Sequence, residues 1–184
     1  MFSFLVTSQV GAWDSREYSF HRERFCEYTN DDIKARYRAL DEPAIAELLR
    51  MPCLFAYEGN THDMRVGYMR RISNRGTSIY FEFDFDRTIP PIPFAQFESL
   101  KLALDVKDRF ELSRTHWAIK DENLLAVLQR KHLTPRSHRV RMLSIELTDI
   151  RCFKHALLNF GDSKPWTVVL VQPHRRSDRF TPRP

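Results

Sequence analysis

The chain has 184 residues, of which 42% are hydrophobic and 12% aromatic, so it can bury the core of one compact domain. Its 29 lysines and arginines outnumber its 24 acids and give a net charge of +5. Clean apolar runs such as Val168 to Val171 are far shorter than the roughly 20 residues of a membrane span, and no secretory signal is recognisable. We therefore expect a soluble, cytoplasmic protein without a membrane partner.

The N-terminal third predicts one strand and two helices. Polar and apolar residues alternate over residues 2–7, which is typical of a strand. A helical segment follows over about 29–51. Thr29 and Asp32 resemble a capping box for its first helix, and Asp41 is the expected N-cap of its second.

The middle of the chain carries the clearest β signal. "CLFAYEG" predicts a strand, and "DMRVGYMRRI" and "SIYFEFDFD" predict a hairpin around residues 74–76. Alternation puts three aromatic side chains on one face of its second arm: Phe81, Phe83 and Phe85. A register that pairs Arg70 with Tyr80 would place Met69 and Gly67 against that face.

Further elements are predicted after this hairpin. "RTIPPIPF" is too rich in proline for an interior strand, and Pro93 can begin a short helix that runs to about Lys101. "DRFELSRTHWAI" predicts a strand that sends Trp117 and Ile119 into the core. "KDENLLAVLQRKH" predicts a helix capped by Asp121, and "VRMLSIEL" and "WTVVLV" predict two more strands.

This mixture of short strands and few helices favours an α+β fold. We expect a curved, mainly antiparallel sheet or, preferably, a small β-barrel, flanked by short helices. Residues 1–172 would form one domain, with its β core over about 53–172. Residues 173–184 would be a flexible basic tail.

Several common catalytic and cofactor motifs are absent from the sequence. The five glycines form neither a dinucleotide-binding motif nor a P-loop, and neither G-x-S-x-G nor H-E-x-x-H occurs. Cys26, Cys53 and Cys152 lack C-x-x-C spacing, so we expect reduced, mostly buried thiols. The sequence thus predicts no cofactor and no bound metal.

Three acids on one strand face form the first candidate site. Glu82, Asp84 and Asp86 would lie about 7 Å apart, and clustered acids are typical of metal-dependent nucleases. The competing interpretation is an exposed acidic face paired with nearby arginines, namely Arg65, Arg70 or Arg71. The wide spacing and the absence of a following lysine favour this second interpretation.

A second candidate is His116, with Arg114 two residues before it on the same strand face. Both would lie near a helix N-terminus, an arrangement that can hold an anion. The alternative is a hydrogen-bonded structural histidine, which is the commoner role of a single histidine.

Positive charge accumulates toward the C-terminus. From Gln129 onward there are 12 lysines and arginines against four acids. The densest stretch contains five of these basic residues: Arg130, Lys131, Arg136, Arg139 and Arg141. Such a stretch can neutralise phosphates, and it predicts binding to nucleic acid or another polyanion. The alternative is a solvated basic surface.

"RTIPPIPF" followed by "ELSRTHWAIKDENLLAVL" resembles a recurring pattern in uncharacterised bacterial proteins. Those proteins are associated with mobile gene cassettes or phage-defence systems. The resemblance covers roughly residues 53 to 128 and brings no catalytic residues. It implies a cytoplasmic bacterial accessory or sensing module.

Three functions follow as hypotheses. The leading one is a non-enzymatic binding module for an anionic ligand such as nucleic acid. The second is a small metal-dependent nuclease or hydrolase that uses the acidic strand face or His116. The third is a structural or protein-interaction module, such as a homodimer formed through a sheet edge.

Overall fold

The computed structural model describes residues 1–60, 62–108, 110–134, 144–150 and 153–159. Its strands are β1 (Phe2–Thr7), β2 (Glu17–His21), β3 (Pro52–Tyr57), β4 (Arg65–Asn74), β5 (Ser78–Phe85), β6 (His116–Lys120), β7 (Ser144–Ile150) and β8 (Phe153–Asn159). Its α-helices are α1 (Asp31–Tyr37), α2 (Glu42–Leu48), α3 (Phe94–Glu98) and α4 (Leu124–Arg130). Within these described ranges, no helix is long and apolar enough to cross a membrane.

The predicted α+β fold is confirmed. One compact unit contains β1 to β6 in a single sheet, with the strand order β2-β5-β4-β3-β1-β6. Only β1 and β3 run parallel; the other neighbours are antiparallel. A second unit contains the antiparallel pair β7–β8. The prediction of one domain over residues 1–172 stays a prediction.

The six-stranded sheet is strongly curved but is not the closed barrel that we preferred. Its edge strands β2 and β6 approach each other, and the rings of Phe20 and Trp117 lie 6.3 Å apart. After β2, Phe25 forms one bridge to Trp117, and the Cys26 N–H donates to the Trp117 carbonyl (2.8 Å). The chain leaves this edge as an irregular segment, so a continuous ladder does not close the sheet.

Each face of the sheet covers its own hydrophobic core. One core is rich in aromatic rings and packs against α1 and α2 residues such as Tyr37 and Leu48. The other is mostly aliphatic and includes residues of α3, which follows β5, and of α4, which follows β6. Trp117 and Ile119 enter the aromatic core as predicted, while alternate β6 residues face the other core.

The β4–β5 hairpin is confirmed, but the predicted register is wrong. Tyr80 lies opposite Ser73 instead of Arg70, and Met69 lies opposite Phe83. A bulge between Met69 and Arg71 inserts one extra residue into β4. At Met69 the register differs by two residues from our prediction. Side chains two residues apart on a strand point to the same face, so Met69 and Phe83 still share the buried face.

The capping box at Thr29 is also wrong. Helix α1 begins at Asp31 and has no side-chain hydrogen bond at its N-cap. The Thr29 hydroxyl instead accepts a hydrogen bond from the Ile119 N–H of β6 (2.8 Å). The Thr29 hydroxyl, which the local sequence assigns to a helix N-terminus, therefore binds a backbone N–H of the edge strand β6 instead.

The cap of α2 is confirmed and that of α4 is corrected. The Asp41 carboxylate accepts a hydrogen bond from the Ala44 N–H (3.0 Å). At α4, Asn123 rather than Asp121 is the N-cap, and its side chain accepts from Ala126 N–H (3.0 Å). Asp121 lies two residues too early to reach the free N–H groups of the first turn.

Other predicted boundaries shift by a few residues. The helix after Pro93 ends at Glu98 rather than near Lys101. The strand predicted in "DRFELSRTHWAI" begins only at His116, because residues 111–113 form a 3-10 turn. The strand "WTVVLV" and the tail 173–184 lie outside the described residues.

Candidate functional site

The acidic strand face is paired with arginines. Asp84 accepts a hydrogen bond from Arg70 Nε (2.8 Å), and Glu82 lies 3.5 Å from Arg71 Nη1. Asp86 accepts hydrogen bonds from its neighbour Thr88. Among the described residues, no group of three or more His, Cys, Asp or Glu side chains could hold a metal ion. The pairings match the second interpretation of this face.

His116 is fully buried and makes a structural contact. Its Nδ1–H donates to the Arg114 carbonyl (2.7 Å), and its ring lies edge-on to Phe4 and Tyr28. Burial lowers the pKa of His116 to about 4, so the imidazole is neutral near pH 7. Its Nε2 has no hydrogen-bond partner among the described residues.

Arg114 uses its guanidinium for a carboxylate of the protein itself. Its Nε and Nη2 donate to the two oxygens of Glu27 (3.0 and 3.1 Å), and this bond raises the pKa of Arg114. The structure thus directs the His116 ring into the core and the Arg114 charge toward Glu27. The prediction that the two residues share an anion stays a prediction.

Two residues of the predicted basic stretch are described. Arg130 ends α4, Lys131 follows it, and both are exposed. Neither forms an ion pair with another described residue. Arg136, Arg139 and Arg141 lie outside the described residues.

Sequence reasoning missed a buried ion pair beside His116. Lys120 Nζ lies 2.7 Å from Glu111 Oε2 and donates to the Tyr28 carbonyl (2.9 Å), and both charged side chains are at most 3% exposed. Burial raises the pKa of Glu111 although the lysine opposes this shift. The pair ties the segment before β6 to β6 itself, which is a structural role. The sequence gives one signal for this ion pair: by the alternation of a strand, Lys120 lies on the same face as His116 and Ala118.

The described cysteines are buried, free thiols, as expected. Burial raises the pKa of Cys26 and of Cys53 to about 12. A thiol with such a pKa is almost entirely protonated at neutral pH, and the thiolate is the nucleophilic form. Neither residue is suited to nucleophilic catalysis. Cys152 lies outside the described residues.

An open groove of about 370 Å³ lies where the parallel strands β1 and β3 end. The segment after β1 and the segment after β3 both contribute to it. The lining residues are Val10, Gly11, Trp13, Asp14, Tyr57, His62, Asp63, Arg65 and Pro91. Parallel neighbours end at the same edge of a sheet, which explains why residues far apart in sequence meet here.

The aromatic wall of this groove is fixed by the core. Trp13 is 3% exposed, and its indole N–H donates to the Ala56 carbonyl (3.0 Å). Its backbone N–H donates to the Tyr57 hydroxyl (3.3 Å). The Tyr57 ring also lies 4.7 Å from the His62 ring. The sequence offered no signal for this groove, because the adjacency of β1 and β3 was not predicted.

Comparisons of the chain with protein-family models, curated proteins and solved structures found no match.

Proposed function

We propose that the protein is a non-enzymatic binding module whose basic C-terminal part engages an anionic polymer such as a nucleic acid. The observation that carries the proposal is the charge distribution of the chain. From Gln129 onward, 12 basic residues face only four acids. Clustered lysines and arginines bind phosphates by displacing counterions, without requiring a catalytic centre.

The use of charge elsewhere in the chain supports this proposal. Several arginines before Gln129 are paired with carboxylates of the protein, as Arg70 is with Asp84 and Arg114 with Glu27. Arg130 and Lys131 form no such pair within the described residues, and they are exposed. Their charges are therefore available to an external anion. The resemblance to modules of mobile gene cassettes or phage-defence systems favours a role as a bacterial accessory protein.

Titration of labelled single- and double-stranded DNA and RNA with the full-length protein tests the proposal. Fluorescence anisotropy is read across a salt series, with and without Mg²⁺ and Mn²⁺, and strand integrity is checked on a gel. We expect binding that weakens steeply with salt, by a slope of roughly 0.9 for each phosphate neutralised on duplex DNA, and intact strands. Metal-dependent cleavage would contradict a non-enzymatic function, and the absence of binding at low salt would contradict the anionic partner.

A matched pair of variants locates the contact. Replacing Arg136, Arg139 and Arg141 by glutamine should weaken binding and flatten its salt dependence. The control replaces Arg36, Arg70 and Arg71 by glutamine and removes the same formal charge. These three arginines form ion pairs with acids of the protein. This control should leave most of the affinity in place. An equal loss in both variants would indicate that net charge alone, and not the C-terminal stretch, drives binding.

A further inference from the structure

We propose that the groove at the ends of β1 and β3 binds a small organic cation that carries N–H donors, such as an alkylammonium or guanidinium group. The described lining residues all belong to the first unit, and this inference does not depend on the proposed function. Its volume of about 370 Å³ lies within the range of small-molecule sites. The ligand class follows from the groove's charges, its rings and its rigidity.

The charge of the groove is the first argument. Asp14 and Asp63 both line it, both are exposed, and neither has an ion pair or a side-chain hydrogen bond with a described residue. The lining also contains one arginine, Arg65, which forms no ion pair with either of these two described acids. The Arg65 guanidinium instead lies 3.7 Å over the ring of Phe85. The two carboxylates of the lining therefore outnumber its one arginine, and neither carboxylate is held in an ion pair with a described residue.

The second argument is the aromatic wall beside these carboxylates. A cation close to the face of an aromatic ring is attracted by the ring's negative charge density. Trp13, Tyr57 and His62 contribute rings to the lining, and the Tyr57 ring contacts both of the others. Carboxylates can accept the N–H groups of a ligand while the rings contact its alkyl or planar part. An anion would meet two carboxylates against one arginine here, which disfavours an anionic ligand.

The third argument is that the Trp13 side of the groove is held in place before a ligand arrives. Trp13 packs on Phe55 and Phe83 of the aromatic core with ring centroids 5.1 and 5.7 Å away. Gly11, whose φ of 78° suits glycine, turns the chain after β1 so that Asp14 follows it closely. A ligand would therefore lose less affinity to ordering the site than it would on a free loop.

Isothermal titration of the full-length protein tests the proposal with three cations: agmatine, spermidine and choline. Agmatine and spermidine carry N–H donors, whereas choline is a cation without them. We expect saturable one-site binding of agmatine or spermidine and clearly weaker binding of choline. No saturable binding of any probe at millimolar concentration would overturn the proposal, and so would choline binding as tightly as the others.

The site is located by the double variant Asp14→Asn and Asp63→Asn. Because two charge-assisted contacts are lost, we expect the Kd of the best probe to rise by roughly tenfold or more. Asp32→Asn is the control, since this exposed acid lies in the first turn of α1, away from the groove lining. Far-UV circular dichroism verifies that both proteins are folded. Unchanged affinity in the double variant would place the cation elsewhere and overturn the assignment.

The same double variant separates this inference from the proposed function. Nucleic-acid binding in the anisotropy assay should be retained, because neither aspartate belongs to the basic stretch. Conversely, the Arg136, Arg139 and Arg141 variant should keep its affinity for the cation. Each proposal can therefore fail while the other stands.

Discussion

At the scale of single residues, the buried polar groups on β6 control how stability depends on pH. His116 donates through Nδ1, and its Nε2 has no partner among the described residues. A second proton would create an N–H without an acceptor in a buried position. Burial of the imidazole is the main reason for its lowered pKa of about 4, and the lack of an acceptor for Nε2 is consistent with it.

Replacing His116 by glutamine should remove part of this pH dependence. In the unfolded chain the imidazole takes up a proton near its ordinary pKa of 6.5, whereas the folded protein resists protonation down to about 4. The wild type should therefore lose about 3 kcal/mol of unfolding free energy as the pH falls through this window. Urea unfolding across the window measures the loss. His21→Gln, an exposed histidine, is the control, and parallel profiles for wild type and His116→Gln would refute this account.

The Lys120–Glu111 pair gives a second prediction at this scale. Lys120→Met leaves the Glu111 carboxylate buried without a counter-charge, and we expect a loss of about 3–5 kcal/mol in unfolding free energy at neutral pH. Because the pKa of Glu111 is already raised, protonation relieves the unpaired charge, so the loss should shrink as the pH falls. Thermal or urea unfolding measures both effects.

Two variants serve as references for this ion pair. Lys107→Met breaks an ion pair in which the lysine is exposed and Asp105 is partly buried, and it should cost far less than Lys120→Met. Adding Glu111→Gln to Lys120→Met removes the unpaired charge and should recover part of the stability. A Lys120→Met loss that does not change with pH would contradict the role given to Glu111.

At the scale of secondary-structure elements, the close contact between β4 and β5 is the sharpest constraint. A Cβ atom at Gly67 would lie 2.2 Å from the Asp84 carbonyl oxygen and 3.0 Å from Phe85 Cα. These are backbone atoms of the paired strand, so relief requires the strands to separate. Gly67→Ala should therefore reduce the unfolding free energy by about 3 kcal/mol.

Gly76→Ala is the matched control for Gly67→Ala. Gly76 has a φ of 75° in the hairpin turn, but nothing lies within 4 Å of the added methyl group. The cost should be about 1 kcal/mol, from backbone strain alone. Urea unfolding of both variants gives the comparison. A smaller loss at Gly67 than at Gly76 would show that β4 and β5 can move apart easily.

Secondary-structure elements were predictable from the sequence where a pattern of neighbouring residues determines their type or their first residue. The alternation in β5 and the carboxylate of Asp41 ahead of α2 are such cases. The role of Thr29 was not predictable, because its partner Ile119 is 90 residues away. The bulge beside Arg70 has no distinctive local residue, so the register could only be guessed. For the candidate sites, alternation predicted that His116 faces away from Trp117, but not that this face is also buried.

At the scale of the whole molecule, the two parts of the chain use charge differently. Before Gln129, many charged side chains form ion pairs with each other, whereas the part from Gln129 onward has an excess of positive charge. Arg130 and Lys131 belong to the described part of that excess. If they contact phosphates, replacing both by glutamine should lower the slope of log affinity against log salt by roughly 0.9 per residue on duplex DNA.

The control for this prediction removes the same charge from the part of the chain before Gln129. Replacing Arg70 and Arg71 by glutamine removes the arginine partners of Asp84 and Glu82, and we expect no phosphate contact to be lost. Anisotropy titrations at several salt concentrations determine both slopes. Equal slopes for the two double variants would indicate that Arg130 and Lys131 act only through net charge.

The position of β1 has a consequence for synthesis of the protein. This first strand lies between β3 and β6, and all six of its residues are buried. A chain growing from its N-terminus presents β1 long before residues 116–120 exist to cover its second edge. Throughout that interval a hydrophobic strand with open backbone groups is available to other nascent chains. The nascent protein is therefore most vulnerable to aggregation until β6 has left the ribosome, and slower translation before that point should lower its yield.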